Sequence, residues 1–301
     1  MKILVSGASG LVGRKLVPFL QENGHEVFSL VRKTPQNERE IQWNAETGIV
    51  ENQSEKLENF DAVVHLAGAG IADERWTKER KRIIRESRII GTRVLVDSLA
   101  KLQNPPKSFV SASAIGYYGD RKDETLNENS PPGKDFLSNV SVEWEAEAER
   151  AAGFGARVVK LRIGIVLSTE GGALKEMLTP FKMGVGGRVG KGTQFVSWIH
   201  LNDLVRVILF TVENGNLTET VNATAPNPVR NAEFAEKLGV ALNRPSVVPV
   251  PEFALRLMFG ELADALLLTG ARVFPEKLLA NNFQFQFERI EDALQDLLKT
   301  Q

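Results

Sequence analysis

The chain contains no cysteine and only three histidines among its 301 residues. The absence of cysteine excludes disulfides, thiol nucleophiles, thiolate zinc sites and iron–sulfur clusters. Three histidines are too few for a histidine-rich metal site, so we expect no metal centre. A chain without cysteine also suits a reducing compartment, and we expect a cytoplasmic protein.

The chain also lacks a long apolar run and an excess of charge of either sign. No segment approaches the roughly 20 apolar residues of a membrane-spanning helix, and the N-terminal run stops at Gly7, too early for a signal peptide. The apolar stretch Phe253–Leu268 is interrupted by three charged residues, and we expect core helices there. Because the formal net charge is -1, we expect neither a nucleic-acid nor a membrane partner.

Short apolar runs alternate with segments of helical periodicity along the first two thirds of the chain. This alternation predicts an α/β fold with a Rossmann-type, doubly wound parallel sheet. The predicted strands are Lys2–Ser6, Glu26–Val31, Asp61–Leu66, Ser108–Ser113 and Arg157–Leu161. The predicted helices are Leu11–Asn23, Thr77–Leu102, Phe136–Ala152 and Asn202–Glu213, the last with Asn202 or Asp203 as its cap.

The pattern changes at residue 224, after which prolines divide the chain into short pieces followed by helices. We therefore assign residues 1–223 to a dinucleotide-binding Rossmann domain that includes part of the substrate pocket. Residues 224–301 are predicted to form a smaller, mostly helical unit on the substrate side.

The segment Gly7-Ala-Ser-Gly10-Leu-Val-Gly13 follows the first predicted strand and opens the first helix. The first glycine permits a tight turn, the second lets the backbone approach a pyrophosphate, and the third lets helix and strand pack closely. The helix N terminus then presents free N–H groups to phosphate. We predict cofactor contacts from Gly7, Ser9, Gly10, Leu11, Val12 and Gly13.

The end of the second predicted strand indicates which cofactor is bound. An NAD site usually carries an acidic residue there, which holds the ribose hydroxyls. This chain has Val31-Arg32-Lys33 instead, and Arg32 can hold a 2′-phosphate with its planar guanidinium. NADP(H) is therefore favoured over NAD(H), while Lys33 suits a solvated strand end.

The strand that ends near His65 runs into the small residues Leu66-Ala67-Gly68. Small side chains suit a surface on which adenosine and its ribose lie, so all three are predicted cofactor contacts. His65 lies within the apolar run and is interpreted as structural.

Five further motifs sharpen this picture. Together with the glycine segment they resemble the extended short-chain dehydrogenase/reductase superfamily, which contains nucleotide-sugar epimerases and dehydratases, and within it an atypical epimerase-like branch. The resemblance covers nearly the whole chain, including a C-terminal domain of unknown function. The motifs are Asp73–Trp76, Ser87–Thr92, Ser111–Gly119, Gly171–Leu174 and Ser197–Asp203.

The resemblance implies a serine after the fifth strand and a tyrosine–lysine pair on the next helix. Ser113 is the implied catalytic serine, and Ser111 is expected at the cofactor. The helix beginning at Phe136 contains neither tyrosine nor lysine. Tyr117 and Tyr118, the only tyrosines of the chain, are the alternative acid/base candidates or a structural pair lining the pocket wall.

Several other side chains have both a functional and a structural interpretation. A tyrosine base needs a nearby cation, and Arg75, Arg121 or Lys160 are the candidates. Glu143 and Glu145 could act as an acid or base, but the preferred interpretation is that both lie on a solvated helix face. His200 suits a pocket donor or, preferably, a structural role, and the loop 184–192 suits a lid.

The leading hypothesis is an NADP(H)-dependent oxidoreductase or epimerase acting on a small substrate that is anionic or a sugar nucleotide. The alternative is a non-catalytic protein that responds to NADP(H) by changing conformation, which the missing tyrosine–lysine pair favours. A homodimer through the long helices is a further expectation by analogy with the superfamily.

Overall fold

A computed structural model of the chain describes residues 1–49 and 55–299. The strands are β1 (Lys2–Ser6), β2 (Glu26–Val31), β3 (Glu40–Asn44), β4 (Gly48–Ile49), β5 (Ala62–His65), β6 (Ser108–Ala114), β7 (Thr125–Leu126), β8 (Arg157–Ile163), β9 (Ile165–Leu167), β10 (Phe195–Val196), β11 (Trp198–His200), β12 (Glu219–Ala223), β13 (Val229–Arg230) and β14 (Arg272–Val273). The helices are α1 (Leu11–Glu22), α2 (Lys78–Leu99), α3 (Phe136–Glu149), α4 (Gly172–Lys182), α5 (Leu201–Glu213), α6 (Asn231–Leu242), α7 (Glu252–Phe259), α8 (Glu276–Ala280) and α9 (Ile290–Lys299).

The main sheet has the strand order β12-β8-β6-β5-β1-β2-β3-β4. The seven strands from β12 to β3 are parallel, and only β4 runs antiparallel, beside β3. The chain order reverses between β1 and β5, which makes this the switch point of a doubly wound sheet. In such sheets ligands bind outside the carboxyl ends of the strands at the switch point. The predicted Rossmann-type fold is confirmed.

Apolar layers cover both faces of the sheet, as parallel strands require. One layer packs α1 and α5 against β1, β5 and β8, with buried residues such as Leu16, Val64 and Leu204. The other joins α2 to β5 and β6 through residues such as Leu95 and Phe109. The predicted strands and helices up to residue 213 are present, with ends that differ by a few residues.

Two details at α5 correct the predicted cap. The cap is His200, whose Nδ1 accepts a hydrogen bond from the Asn202 N–H at 3.0 Å. Asp203 is completely buried, and its carboxylate accepts the N–H groups of Gln286 and Phe287, both at 2.9 Å. Asp203 therefore fastens the C-terminal segment to the Rossmann domain.

The helical unit is not built from residues beyond 223 alone. Its core joins Leu178 of α4 to Phe234 and Leu238 of α6 and Leu294 of α9, so in space it includes a helix that precedes the predicted boundary. In the part of the chain that the structure describes, no helix is both long and apolar enough to cross a bilayer.

Candidate functional site

The glycine segment forms a tight loop between β1 and α1. Gly7 has φ +72°, and a Cβ there would lie 2.8 Å from the Leu66 carbonyl carbon. A Cβ on Gly13 would overlap the Gly7 carbonyl oxygen and lie 2.6 Å from the Ala8 Cα. Glycine is therefore required at both positions, because backbone from two strand ends and a helix meets here.

The N terminus of α1 has no side-chain cap and no acidic residue in its first turn. By contrast, Thr77 caps α2 and Asp135 caps α3. The first N–H groups of a helix need a partner, and at α1 the protein supplies no side chain for that purpose. This glycine cradle fits the phosphates of a dinucleotide.

Arg32 follows β2 directly and is exposed. Within residues 1–49 and 55–299, its guanidinium has no hydrogen bond or ion pair, and no acidic residue occurs between positions 27 and 37. Since β2 is the immediate neighbour of β1 in the sheet, Arg32 stands beside the glycine loop with its charge uncompensated.

The loop after β5 forms the opposite wall of the crevice, where Leu66 and Ala67 are half-buried and Gly68 is exposed. Both N–H groups of Leu66 and Ala67 donate to Ser6 Oγ, at 3.2 and 3.4 Å. The same Oγ lies 2.6 Å from His65 Nδ1. Leu66 and Ala67 are therefore held on β1 by Ser6, which in turn contacts His65.

His65 has a structural role, as the sequence indicated. Its Nε2 lies 2.9 Å from Thr92 Oγ1, which also accepts the Trp144 Nε1–H at 2.9 Å. The imidazole is completely buried, and desolvation lowers its pKa from 6.5 to about 4. A neutral imidazole accordingly links β1 and β5 to α2 and α3.

Arg88 on α2 was not anticipated as a site residue. Its Nη1 donates to the Ala69 carbonyl at 2.9 Å, its guanidinium packs against Gly68, and it lies 5.2 Å from the Trp144 ring centre. Burial and, less strongly, repulsion by Arg80 lower the pKa of Arg88 to about 10. In the described part of the chain no carboxylate forms an ion pair with Arg88, although Asp73 is near enough to attract it, so a half-buried guanidinium without a direct ion-pair partner lies at the crevice.

The ends of β6 and β8 meet α3 in a closed polar cluster. Glu145 accepts Ser113 Oγ at 2.6 Å and forms a two-point ion pair with Arg162, at 2.8 and 2.9 Å. All three side chains are buried. The preferred interpretation of Glu145 as a solvated helix charge is wrong, whereas Glu143 does lie on the surface, paired with Arg85.

Tyr118 belongs to the same cluster and is completely buried. Its hydroxyl donates to Asn222 Oδ1 at 2.6 Å and accepts the Arg162 Nη1–H at 3.0 Å. Burial raises the pKa of Tyr118 to about 12. A buried, fully bonded phenol has no surface for a substrate, and Tyr118 is therefore not retained as an acid/base candidate.

Tyr117 is half-buried, and its ring is held from two sides. The Arg162 guanidinium carbon lies 3.2 Å from the ring centre, and the Tyr118 ring meets it edge-on at 5.3 Å. In the described part of the chain the Tyr117 hydroxyl has no hydrogen bond. It is also not among the fully buried polar atoms that lack a hydrogen-bond partner. The cation near the tyrosine pair is thus Arg162, rather than Arg75, Arg121 or Lys160.

Burial and contacts bear on three other expectations. Ser111 is completely buried and donates its hydroxyl to the Ala112 carbonyl at 3.1 Å, so its side chain offers no surface to a cofactor. His200 is buried against the Phe287 ring, with centres 4.1 Å apart, which supports the structural interpretation. The loop 184–192 is bridged to Val247 and Val250, so no free lid is present in this conformation.

A cleft of about 360 Å³ lies between the segment after Tyr118 and the C-terminal unit. Its charges are compensated internally, because Arg230 pairs with Asp123 at 2.9 Å and Lys122 with Asp120 at 2.8 Å. None of its residues belongs to the glycine loop. The lining consists of Asp120, Lys122, Asp123, Thr193, Gln194, Arg230, Leu268 and Gly270. Among the described residues, no group of acidic and histidine side chains could hold a metal ion.

The strand order and the glycine loop define a Rossmann-type α/β protein of the short-chain dehydrogenase/reductase class. The model of the NAD dependent epimerase/dehydratase family matches residues 3–223, and a domain of unknown function, DUF1731, matches residues 250–297. This chain belongs to the NAD-dependent epimerase/dehydratase family.

The chain resembles three known proteins over nearly their whole length. It is 42% identical to epimerase family protein Mb2239 of Mycobacterium bovis, over 97% of this chain and 96% of that protein. The crystal structure of human epimerase family protein SDR39U1 with NADPH has a TM-score of 0.92 and 34% identity, with both chains covered completely. MoeE5 in complex with UDP-glucuronic acid and NAD shares the fold, with a TM-score of 0.75 and 19% identity over 99% of this chain and 98% of that one.

Proposed function

We propose that the protein binds NADP(H) across the crevice between β1 and β5 and acts as an oxidoreductase or epimerase-like enzyme on a small, anionic or sugar-nucleotide substrate. The observation that carries the cofactor proposal is the exposed guanidinium of Arg32, which has no partner among residues 1–49 and 55–299, beside the N terminus of α1, which has no side-chain cap. Human SDR39U1, crystallised with NADPH, supports the same choice. The NAD complex of MoeE5 indicates that the fold alone does not decide it.

Calorimetric titration with NADPH and NADH tests this proposal. We expect NADPH to bind more tightly than NADH, and Arg32→Ala to weaken NADPH about tenfold to a hundredfold while leaving NADH unchanged. Lys33→Ala, which removes the adjacent exposed cation, is the matched control and should change neither affinity by more than a few-fold. If neither dinucleotide binds the wild-type protein, the proposal fails.

Arg88 is proposed as a contact for the nicotinamide half of the same cofactor. The adenine half belongs on the β2 side of the crevice, with Arg32, whereas Arg88 packs on the loop after β5. An anionic phosphate beside Arg88 would compensate a half-buried charge that has no direct ion-pair partner in the described chain. Arg88→Gln should therefore weaken NADPH and NADH alike and leave 2′,5′-ADP, which lacks the nicotinamide half, bound as before.

Tyr117 is the proposed proton donor, because its hydroxyl, unlike those of Ser113 and Tyr118, has no hydrogen bond within the described part of the chain. Bound NADPH would supply a hydride to a carbonyl carbon, and the phenol would protonate the carbonyl oxygen. NADPH consumption with a panel of carbonyl compounds, followed at 340 nm, tests this role. Tyr117→Phe should lower turnover about a hundredfold or more with the NADPH affinity unchanged, whereas Tyr118→Phe should retain turnover in the folded fraction.

A non-catalytic NADP(H)-responsive protein is the second candidate. The specific observation in its favour is that the hydroxyls of Ser113 and Tyr118 donate their hydrogen bonds to Glu145 and Asn222. Tight NADPH binding with no oxidation by any carbonyl compound, together with a change in protease sensitivity on binding, would favour this candidate over the enzyme.

A further inference from the structure

Exposed apolar side chains are concentrated in two segments of the C-terminal half. Twelve large apolar residues are exposed in the described chain, and eight of them fall within residues 183–185 and 247–259. The predicted core helices over Phe253–Leu268 are therefore only partly buried. We call these eight residues the apolar surface: Met183, Val185, Val247, Val248, Phe253, Leu257, Met258 and Phe259.

The two segments lie side by side. Gly187 pairs with Val247 and Val189 with Val250, and the Val250 N–H donates to the Arg188 carbonyl at 2.8 Å. Helix α7 begins two residues later. Its Phe253 and Leu257 stand one turn apart, with exposed fractions of 73% and 76%, so they project from one face of the helix.

Uncompensated cations border the apolar surface. The Arg244 Nε donates to the Lys182 carbonyl at 3.0 Å, next to Met183. The Arg75 guanidinium packs against Gly260, directly after α7. In the described chain, Arg75, Arg188 and Arg244 have no carboxylate partner.

Each acidic residue of the same region has a cationic partner, although Glu252 and Asp264 share a single arginine. Between positions 244 and 264 the sequence has three acids. Glu252 and Asp264 both pair with Arg256, at 3.2 and 2.9 Å, and Glu261 pairs with Lys81 at 2.8 Å. The segment 182–192 contains cations and no acid. The apolar surface is therefore bordered by net positive charge on a chain whose total charge is -1.

The combination of exposed apolar side chains and bordering cations indicates which kind of partner could cover the apolar surface. A second copy of the chain, related by a two-fold axis, would bring the unpaired cations of both copies together. A bound peptide would need a concave groove, whereas these side chains protrude. Protruding aromatic and aliphatic side chains bordered by cations suit the headgroup region of an anionic bilayer.

We propose that the apolar surface docks the protein peripherally on an anionic lipid bilayer. The expected absence of a membrane partner rested on the formal net charge of -1 and on the lack of a long apolar run. Neither criterion detects a local surface assembled from two short, separated segments. The proposal is independent of cofactor binding.

The absence of cysteine allows a direct test on the full chain. Leu257→Cys and, as a control on α3, Val142→Cys are each labelled with an environment-sensitive fluorophore. Vesicles of phosphatidylcholine are compared with vesicles containing about 30% phosphatidylglycerol. We expect a blue shift only for the probe at 257, only with anionic vesicles, and reduced by about 0.5 M salt.

Vesicle flotation of unlabelled protein provides the second measurement. Phe253→Ser/Leu257→Ser should weaken binding about tenfold or more, whereas Ile83→Ser/Val142→Ser, which changes exposed apolar residues on α2 and α3, should bind as wild type. Equal binding of both double variants, or no binding of the wild type, would overturn the proposal. So would sedimentation showing a dimer that only Phe253→Ser/Leu257→Ser dissociates, because the surface would then cover a second copy.

Discussion

The two sides of the crevice treat their polar groups in opposite ways. On the β1–β2 side, the N terminus of α1 has no side-chain cap and the guanidinium of Arg32 has no partner within the described chain. On the β6–β8 side, Ser113, Glu145, Arg162 and Tyr118 bond to one another and are buried. Polar groups without a protein partner are available to a ligand, whereas polar groups that bond to one another stabilise the fold.

The difference indicates how the proposed function divides between the two sides. In that proposal, recognition of the dinucleotide uses backbone N–H groups and a cation that have no side-chain partner in the described chain. The cluster at β6 and β8 resembles a support for Tyr117, which touches Arg162 through its ring and leaves its hydroxyl free. Variants on the two sides should therefore fail in different measurements.

The largest expected effect comes from the buried ion pair. Arg162→Met removes one partner and leaves Glu145 charged and buried, which typically costs about 3–5 kcal/mol in the free energy of unfolding. Arg85→Met breaks the exposed ion pair with Glu143, which lies on α3 as Glu145 does. This substitution should cost about 0–1 kcal/mol in the free energy of unfolding. Urea unfolding measures both.

NADPH affinity completes this test of the comparison. If the cluster is structural support, folded Arg162→Met protein should bind NADPH as the wild type does. An Arg162→Met variant as stable as Arg85→Met, or one that is stable but no longer binds NADPH, would contradict the division into a binding side and a supporting side.

Gly13→Ala should affect the other side. The added Cβ overlaps the Gly7 carbonyl and crowds the Ala8 Cα at 2.6 Å, so the loop must shift, at a cost of about 1–3 kcal/mol in stability. The displaced N–H groups should weaken NADPH binding about a hundredfold in calorimetry. Gly153→Ala is the matched control, because a Cβ at Gly153 meets nothing within 4 Å. Unchanged NADPH affinity in Gly13→Ala would show that the loop is only a packing device.

The fold on the proposed binding side could be predicted from the sequence because its signals are local. The spacing of Gly7, Gly10 and Gly13 after a short apolar run, and Arg32 at the end of the next run, each lie within a few residues of the element they modify. Five of the seven parallel strands, β1, β2, β5, β6 and β8, were predicted for the same reason, since an apolar run between helical segments determines both position and direction. The strands β3 and β12 were not predicted.

The supporting side could not be predicted because its bonds join distant parts of the chain. Ser113 and Glu145 are 32 positions apart, and Tyr118 and Asn222 are 104 apart. Weak signals did exist: Arg162 lies inside an apolar strand, and Arg80, Ile84, Arg88 and Thr92 follow each other at intervals of four on one face of α2. A cation on a buried stripe or strand indicates a paired charge or a ligand contact.

The smallest expected effect comes from the hydrogen-bond network of Ser6, His65 and Thr92, which lies beneath both sides of the crevice. His65 has a pKa of about 4 when folded and about 6.5 when unfolded, because burial disfavours its charged form. At pH values between these two pKa values the unfolded state binds more protons than the folded state. The free energy of unfolding is therefore highest above pH 6.5 and decreases as the pH falls towards 4. His65 alone should remove about 1–2 kcal/mol between pH 7 and pH 5.

Comparison of slopes isolates this contribution from that of His200, whose pKa burial also lowers. His65→Asn abolishes the titration while retaining a polar side chain between Ser6 and Thr92. The variant should be less stable at pH 7, and its unfolding free energy should vary less with pH than that of the wild type. Parallel stability curves from pH 7 to pH 5 would show that His65 is protonated in the folded state. The link from the cofactor loop to α2 and α3 would then be ionic rather than neutral.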